Sequence, residues 1–387
     1  MYQRLKTGDN QLNVEVICNS TQFFSNKKYE TGALKVRRIG YPSVTRVLPP
    51  RLAHALKIYF EFVQAIFIFF RAKPDLIHIV GYSGATMAAI VYFKLKKKPR
   101  LIELVTKEAS PLQCLPGFWY PKLLGLRRQT VIVAISEHIR EACVKIGFQK
   151  NVWCRPNPVD VSRFSYKSNS RLVKKKSSLL AGTEVTVGML AKFMPQKNQI
   201  FLLEVLSNLP SKFRLLLAGP LVKDGIHKDR DIQYYNKITL RIAELGLQSR
   251  VSLIPEFTNG PEFYQKCDIF TLPQFTEGLA TPMLEALSFG IPVVANRAEP
   301  AFCEWVIDGR NGFLRDLDAR QWAESIQAVS KFSNEQRVAS AKKIIEAVKA
   351  SRIDRQYLKI FDGLASANFD TEVDVENLLE GSANEKE

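Results

Sequence analysis

Short apolar runs alternate with helical stretches along most of this chain, and that alternation restricts its fold more than any other feature. Val14 to Cys18 and Lys35 to Ile39 read as strands, Pro49 to Phe70 as a helix, and Leu76 to Val80 as a strand followed by a glycine-bearing turn, Gly81-Tyr82-Ser83-Gly84. A helix to about Lys94, a strand at Leu101 to Val105, a strand at Thr130 to Ile135, a helix from Ser136-Glu137 to Ile146 and a short strand at Val152 to Arg155 follow. Such a pattern predicts an α/β protein with a parallel sheet covered on both faces. At 387 residues the chain is long enough for two domains, each with its own core.

Residues 268 to 295 carry the strongest functional signal. An apolar strand, Ile269 to Leu272, runs into a loop bearing Glu277 and the small-residue turn Gly278-Leu279-Ala280. A helix is predicted from Thr281-Pro282 with Glu285 in its first turn, and a strand at Ile291 to Ala295 follows Gly290. Thr281 suits an N-cap and Pro282 the first helical position, where a missing N–H costs nothing. The free N–H groups of that turn then form an anion site. A capping box would need Glu at position 284, which is Leu284, so Glu285 is left to accept hydrogen bonds from a ligand hydroxyl. Glu277 lies where a sugar hydroxyl could reach it. Taken singly, Glu285 could merely complement the helix dipole and Glu277 be a solvated loop carboxylate. In open α/β sheets, however, ligands bind outside the carboxyl ends of the strands.

A second constellation lies upstream. Residues 185 to 198 give a buried strand ending near Gly188, a loop with Lys192 and Lys197, and a helix from about Gln199 to Leu206. Two cations on a loop beside a strand end suit the β-phosphate of a leaving nucleoside diphosphate, where fixed positive charge meets developing negative charge. Alone, they would be read as solvated surface lysines. Phe213 to Gly219 and Val251 to Pro255 are further strands, the second followed by Glu256.

The spacing Glu277 to Glu285, with Gly278 and Pro282 between and Gly290-Ile291-Pro292-Val293-Val294 after, resembles the donor site of the retaining glycosyltransferases of family 4. Those enzymes have the GT-B fold, two Rossmann-like domains facing across a cleft. The resemblance implies that Glu285 holds the ribose of a nucleotide sugar and that Glu277 contacts the transferred sugar. It implies that the amides of Gly278, Leu279, Ala280 and Thr281 meet sugar and diphosphate. Lys192 and Lys197 match a cation pair five residues apart, with Lys where Arg is commoner, so phosphate would be held by point charges rather than a fork. Gly188 joins the donor-binding set, and Glu256 sits where the base is commonly held. The stretches Pro74 to His78, Ala134 to Glu137 and Pro156 to Phe164 extend the resemblance over about residues 12 to 365.

The implied activity is that of a retaining, hexosyltransferase-like enzyme. It would move a sugar from a UDP- or GDP-sugar, a substrate rather than a cofactor, to a hydroxyl of a glycan or lipid-linked acceptor in surface polysaccharide or lipid-linked glycan assembly. No Asp-x-Asp metal site is evident and lysines can supply the charge of a metal, so metal independence is expected. The implied organisation is an acceptor-side domain at residues 1–166, a polar linker at 167–182, a nucleotide-sugar-binding domain at 183–350, a helix at 351–366 returning to the first domain, and a disordered acidic tail at 367–387. Two departures stand out. Met1 to Lys6 matches the end of the family's first helix, so the first strand and its glycine-rich loop are expected to be missing. Thr106-Lys107-Glu108 stands where many members carry a His, and no acceptor-side catalytic residue is assigned. These departures keep a non-catalytic GT-B binding or partner protein as the alternative.

Charge is unevenly spread. The net +17 comes entirely from residues 1 to 170, with 27 Lys and Arg against 10 Asp and Glu; residues 171 to 387 balance at 28 each. An anionic partner for the first half is implied. The densest cluster, Lys94, Lys96, Lys97, Lys98 and Arg100 after Val91-Tyr92-Phe93, suits an anionic membrane surface and equally a solvated turn. No nucleic-acid-binding module is recognised. No apolar window reaches the length of a membrane span: Ile58 to Phe70 is interrupted by Glu61 and Gln64, and a mostly buried helix is expected there. Six scattered cysteines without metal spacing, and no visible signal peptide, point to a reducing, cytoplasmic setting, with peripheral attachment to the inner membrane face left open. Four histidines show no zinc pattern, and His78 reads as a core or strand-end residue.

Overall fold

The computed structural model describes residues 13–19, 28–31, 34–40, 48–80, 83–96, 100–105, 130–145, 148–161, 184–221, 227–256, 259–275, 279–366 and 373–380. Glu277, Gly278, Thr106 to Glu108 and the linker at 167–182 lie outside them. The chain divides into two compact units, Met1–Arg155 with Ser351–Glu387, and Pro156–Ala350.

Among its described residues the second unit holds six parallel strands: β8 (Val185–Leu190), β9 (Phe213–Ala218), β10 (Val251–Ile254), β11 (Ile269–Leu272), β12 (Val293–Asn296) and β13 (Gly312–Arg315). Their order in the sheet is β10-β9-β8-β11-β12-β13. This is the doubly wound order 3-2-1-4-5-6 of dinucleotide-binding sheets. The intervening helices are α4 (Gln199–Ser207), α5 (Lys228–Glu244), α6 (Gly260–Lys266), α7 (Thr281–Ser288), α8 (Pro300–Cys303), α9 (Ala319–Ser330) and α10 (Asn334–Val348). Strands β11 and β12 are buried at every position, which is why they read as continuous apolar runs. One core joins β8, β9, α4, α5 and α9 around the fully buried Phe213, Ile238 and Trp322.

In the first unit β1 (Glu15–Asn19), β2 (Lys28–Thr31) and β3 (Leu34–Ile39) form one sheet, with β3 parallel to β1 and antiparallel to β2. A parallel sheet contains β4 (Leu76–Val80), β5 (Arg100–Val105), β6 (Thr130–Ala134) and β7 (Val152–Cys154) in that order. Helices α1 (Pro50–Ala72) and α2 (Gly84–Lys96) pack on each other, and α3 (Glu137–Lys145) follows β6. A Cβ on Gly84 would lie 2.0 Å from the Ile58 carbonyl oxygen, so a glycine is needed where the two helices approach. Helix α11 (Ala350–Ser366) buries Ile353, Tyr357, Ile360 and Leu364 against Val131, Val133 and Trp153.

Three expectations are corrected. Helix α1 is not mostly buried: it is long and apolar enough to cross a membrane by length and composition, yet only 17% of that window is buried. Its buried side carries Ala65, Ile68 and Phe69 together with the charged Glu61. Glu61 is 1% exposed and accepts a hydrogen bond from the Gly84 amide at 3.0 Å, while Gln64 donates to the Gly40 carbonyl. The acidic tail is not wholly disordered, because residues 375–380 form helix α12 (Val375–Glu380), with Val373 and Val375 buried in the core beside Trp153 and Tyr357. The Val-Leu-Leu content of that segment gives it an apolar side that acidic composition obscured. Finally, Thr281 is not the N-cap of α7. Ala280 occupies that position in extended conformation, with Thr281 and Pro282 as the first two helical residues.

Candidate active site

Strand order fixes where the site lies. Strands β8 and β11 are neighbours, yet their following chains leave in opposite directions along the sheet, toward β9 and toward β12. A crevice therefore opens beyond their carboxyl ends. The loop after β8 carries Lys192 and Lys197, and the loop after β11 leads through Leu279 and Ala280 into α7. The two loops are tied by Asn198 Nδ2, which donates to the Pro273 carbonyl at 3.3 Å, and the strands before them by Thr271 Oγ1, which donates to the Gly188 carbonyl at 3.1 Å. Asn198 is held at φ 55°, a left-handed conformation that Asn tolerates, and this turns the chain from the Pro195–Lys197 turn into α4.

Lys192 is placed by a buried anion. Its Nζ lies 2.7 Å from Oδ2 of Asp231 on α5, and Arg230 approaches the other oxygen at 2.8 Å. Asp231 is fully buried. Burial would raise its pKa, but the hydrogen bonds and charges of Lys192 and Arg230 hold it below the ordinary carboxylate value. The lysine is thus braced from behind, with its side chain 29% exposed. Gln199 adds a bond from Nε2 to the Lys192 carbonyl at 2.9 Å. Next to this loop, Gly219 sits at φ 143° with its Cβ position 2.1 Å from the Ala191 carbonyl oxygen. Only glycine lets the ends of β8 and β9 come so close.

On the other side of the crevice, Glu285 lies in the second turn of α7, half-buried. It already holds one hydrogen bond: the hydroxyl of Tyr264 on α6 donates to Oε2 at 2.7 Å. Burial, then the Glu285 charge and this bond, push the Tyr264 pKa well above its usual value, so the phenol stays a donor at any working pH. The expected use of the first-turn amides is narrowed. Pro282 has no N–H, and the amides of Met283 and Leu284 return to the Ala280 carbonyl. Thr281 serves as an acceptor for Asn157 Nδ2 at 3.0 Å instead of capping the helix.

Lys192, Lys197, Leu279 and Ala280 therefore lie on the two loops flanking one crevice, and Thr281 and Glu285 in the helix that follows the second loop. Glu256 is an exposed residue just after β10, two strands from β8. Gly188 is inside β8 rather than at its end, paired with Phe270 and Leu216. A Cβ there would lie 2.5 Å from Cys267 Sγ and 2.9 Å from Phe263, so its visible task is to admit α6 against the sheet. Tyr264, Asp231 and Asn157 were missed from sequence. Each acts through a partner far along the chain, and no local pattern marks it. Two Asp-x-Asp triplets also escape the sequence reading. In Asp229-Arg230-Asp231 the last carboxylate is committed to Lys192 and Arg230, and in Asp316-Leu317-Asp318 it caps α9 by accepting from the Gln321 amide. Among the described residues, no group of three His, Cys, Asp or Glu side chains is placed to hold a metal ion.

Residues 170–351 match the family model of the glycosyl transferases group 1. The chain is 30% identical over 154 residues to the lipopolysaccharide core biosynthesis mannosyltransferase LpsB of Rhizobium meliloti, covering 39% of this chain and 42% of that protein. It is 26% identical over 202 residues to the UDP-Gal:alpha-D-GlcNAc-diphosphoundecaprenol alpha-1,3-galactosyltransferase of Escherichia coli, covering 51% of this chain and 50% of that one. The matches thus span about half the length of these relatives. Among solved structures, HepE of Anabaena in complex with UDP and glucose superposes with a TM-score of 0.62 at 18% identity, over 85% of this chain and 86% of that one. That likeness is one of fold, and the fold is GT-B.

Proposed function

We propose that the protein is a glycosyltransferase that moves a sugar from a UDP- or GDP-sugar to a hydroxyl acceptor in surface polysaccharide or lipid-linked glycan assembly. The observation that carries this reading is the pairing, across one switch-point crevice, of the braced Lys192 loop with the Glu285 end of α7. The match to the glycosyl transferases group 1 over the same residues supports it, as do the mannosyl- and galactosyltransferase names of the relatives.

In the proposed reaction the diphosphate lies between the Lys192–Lys197 loop and the amides preceding α7. Lys192 and Lys197 stabilise the charge that develops on the leaving diphosphate. Glu285, positioned by Tyr264, accepts from the ribose hydroxyls, and Glu277 orients the transferred sugar. The acceptor hydroxyl attacks from the face the diphosphate leaves, the diphosphate takes its proton, and configuration is retained as in family 4. With lysines supplying the charge, transfer is metal-independent, and a cytoplasmic nucleotide-sugar pool supplies the donor.

Calorimetric titration with UDP- and GDP-sugars tests this. Saturable binding of one donor, lost in Glu285→Gln and in Lys192→Ala, is expected, with transfer undiminished by a chelator. Donor binding without transfer to any acceptor would instead support a non-catalytic GT-B binding protein.

A further inference from the structure

Among the described residues, the first unit carries an exposed apolar face. On α1, the exposed Leu52, Tyr59, Phe67 and Phe70 and the half-buried Val63 share one side of the helix, at steps of seven, four, four and three residues, opposite the buried Glu61, Ala65 and Ile68. Tyr59 is 59% exposed and Phe67 70%. A stripe from position 52 to 70 runs for about 27 Å at the helical rise. On the adjoining α2, Val91 and Leu95 are exposed as well, opposite the buried Ala89 and Phe93. Exposed apolar groups scattered singly are ordinary, but a continuous stripe marks a surface that meets something.

Charge says what it meets. The two helices run side by side: Gly84 at the start of α2 lies against the middle of α1, and Tyr92 near its end against Phe69 and Phe70. Their C-terminal ends therefore fall together, and four exposed cations gather there: Arg71, Lys73, Lys94 and Lys96. Lys96 Nζ lies 5.2 Å from the centre of the Phe70 ring, so the basic cluster borders the apolar stripe directly. These cations also complement the helix dipoles. That accounts for the charges but not for the aromatic rings beside them.

We propose that this face docks onto an anionic lipid bilayer, with the α1 stripe and the outer side of α2 in the interfacial region and the four cations against acidic headgroups. The helix lies on the membrane rather than across it. Its other face is fastened to the domain through Glu61 on the Gly84 amide and Gln64 on Gly40, and a spanning helix would have to surrender both. Docking here is independent of the donor site, which belongs to the other unit.

The test is co-sedimentation of the full chain with vesicles of phosphatidylcholine alone and of phosphatidylcholine with phosphatidylglycerol. Partition is expected into the anionic vesicles, falling with salt. Each of Lys94→Gln and Lys96→Gln should weaken it about fivefold. Phe67→Ser should weaken it about tenfold or more. In a Phe67→Trp variant, bromine-labelled lipid should quench the new indole emission. All three positions are exposed, and unchanged far-ultraviolet circular dichroism confirms the fold. No partition into anionic vesicles, or partition that Phe67→Ser leaves intact, overturns the proposal. So does a dimer in sedimentation that Phe67→Ser dissolves without any vesicle binding, which would assign the face to a second copy of the chain.

Discussion

At the scale of single residues, the site depends on groups that hold other groups. Tyr264 donates to Glu285 Oε2 at 2.7 Å and so fixes the orientation of that carboxylate. A hydrogen bond to a charged group contributes about 1.5–3 kcal/mol, so Tyr264→Phe should weaken donor affinity about tenfold through a misplaced Glu285. Titration calorimetry reads this directly, and an unchanged affinity would show that Glu285 does not contact the donor. His78 makes a different prediction, about stability. Burial first, and then the Arg155 charge, lower its pKa from 6.5 to about 4. The folded state thus holds this proton less tightly than the unfolded chain. Stability is complete above the unfolded pKa and declines as pH falls from 6.5 toward 4. The loss integrates to about 3 kcal/mol at most, read as a falling urea midpoint in acid that a His78→Gln variant should flatten.

At the scale of elements, the backbone of one strand end sets the position of the next. Gly219 lies at φ 143° against the Ala191 carbonyl, one residue before Lys192. A Gly219→Ala substitution adds backbone strain of about 1–3 kcal/mol and a clash that only movement of the β8 loop relieves. Donor affinity should fall in this variant even though the proposed site gives residue 219 no ligand contact, and loss of stability without loss of affinity would contradict the coupling. Five of the six strands of this unit were legible in the sequence because a parallel sheet covered on both faces demands unbroken apolar runs, as at Ile269 to Leu272, whereas β13, buried only at Gly312, was not. The loop lysines and Glu285 were legible because motif spacing is local. What was not legible is whatever depends on distant partners: the Asp231 brace behind Lys192, the Tyr264 clamp, and the inward placing of Glu61 among Ala65, Ile68 and Phe69 on α1. Helical periodicity identified the two sides of α1 but not which one faces inward. That choice was made by the Gly84 amide and Gly40, groups with no sequence signature of their own.

At the scale of the whole molecule, charge, core and site are divided between the two units. Counted by unit, the first carries 29 Lys and Arg against 18 Asp and Glu, and the second, with the donor-site lysines, 26 against 20. At the crevice itself, Lys192 and Arg230 flank one buried carboxylate, Asp231. Each unit also has its own core, one around Trp322 and another around Trp153 and Tyr357. A ligand that binds only the folded form of one unit stabilises that unit; at a hundred times its dissociation constant the gain is about 2.7 kcal/mol. Hydrogen exchange in mild denaturant should then show UDP slowing exchange in β8, β9 and β11, whose opening exposes the second core, with Lys192→Ala removing the effect. The amides of β6 and α11 should exchange at the same rate with or without nucleotide. Equal protection of both sets would mean that the units open together as one cooperative body, and that donor binding is felt by the first unit as strongly as by the second.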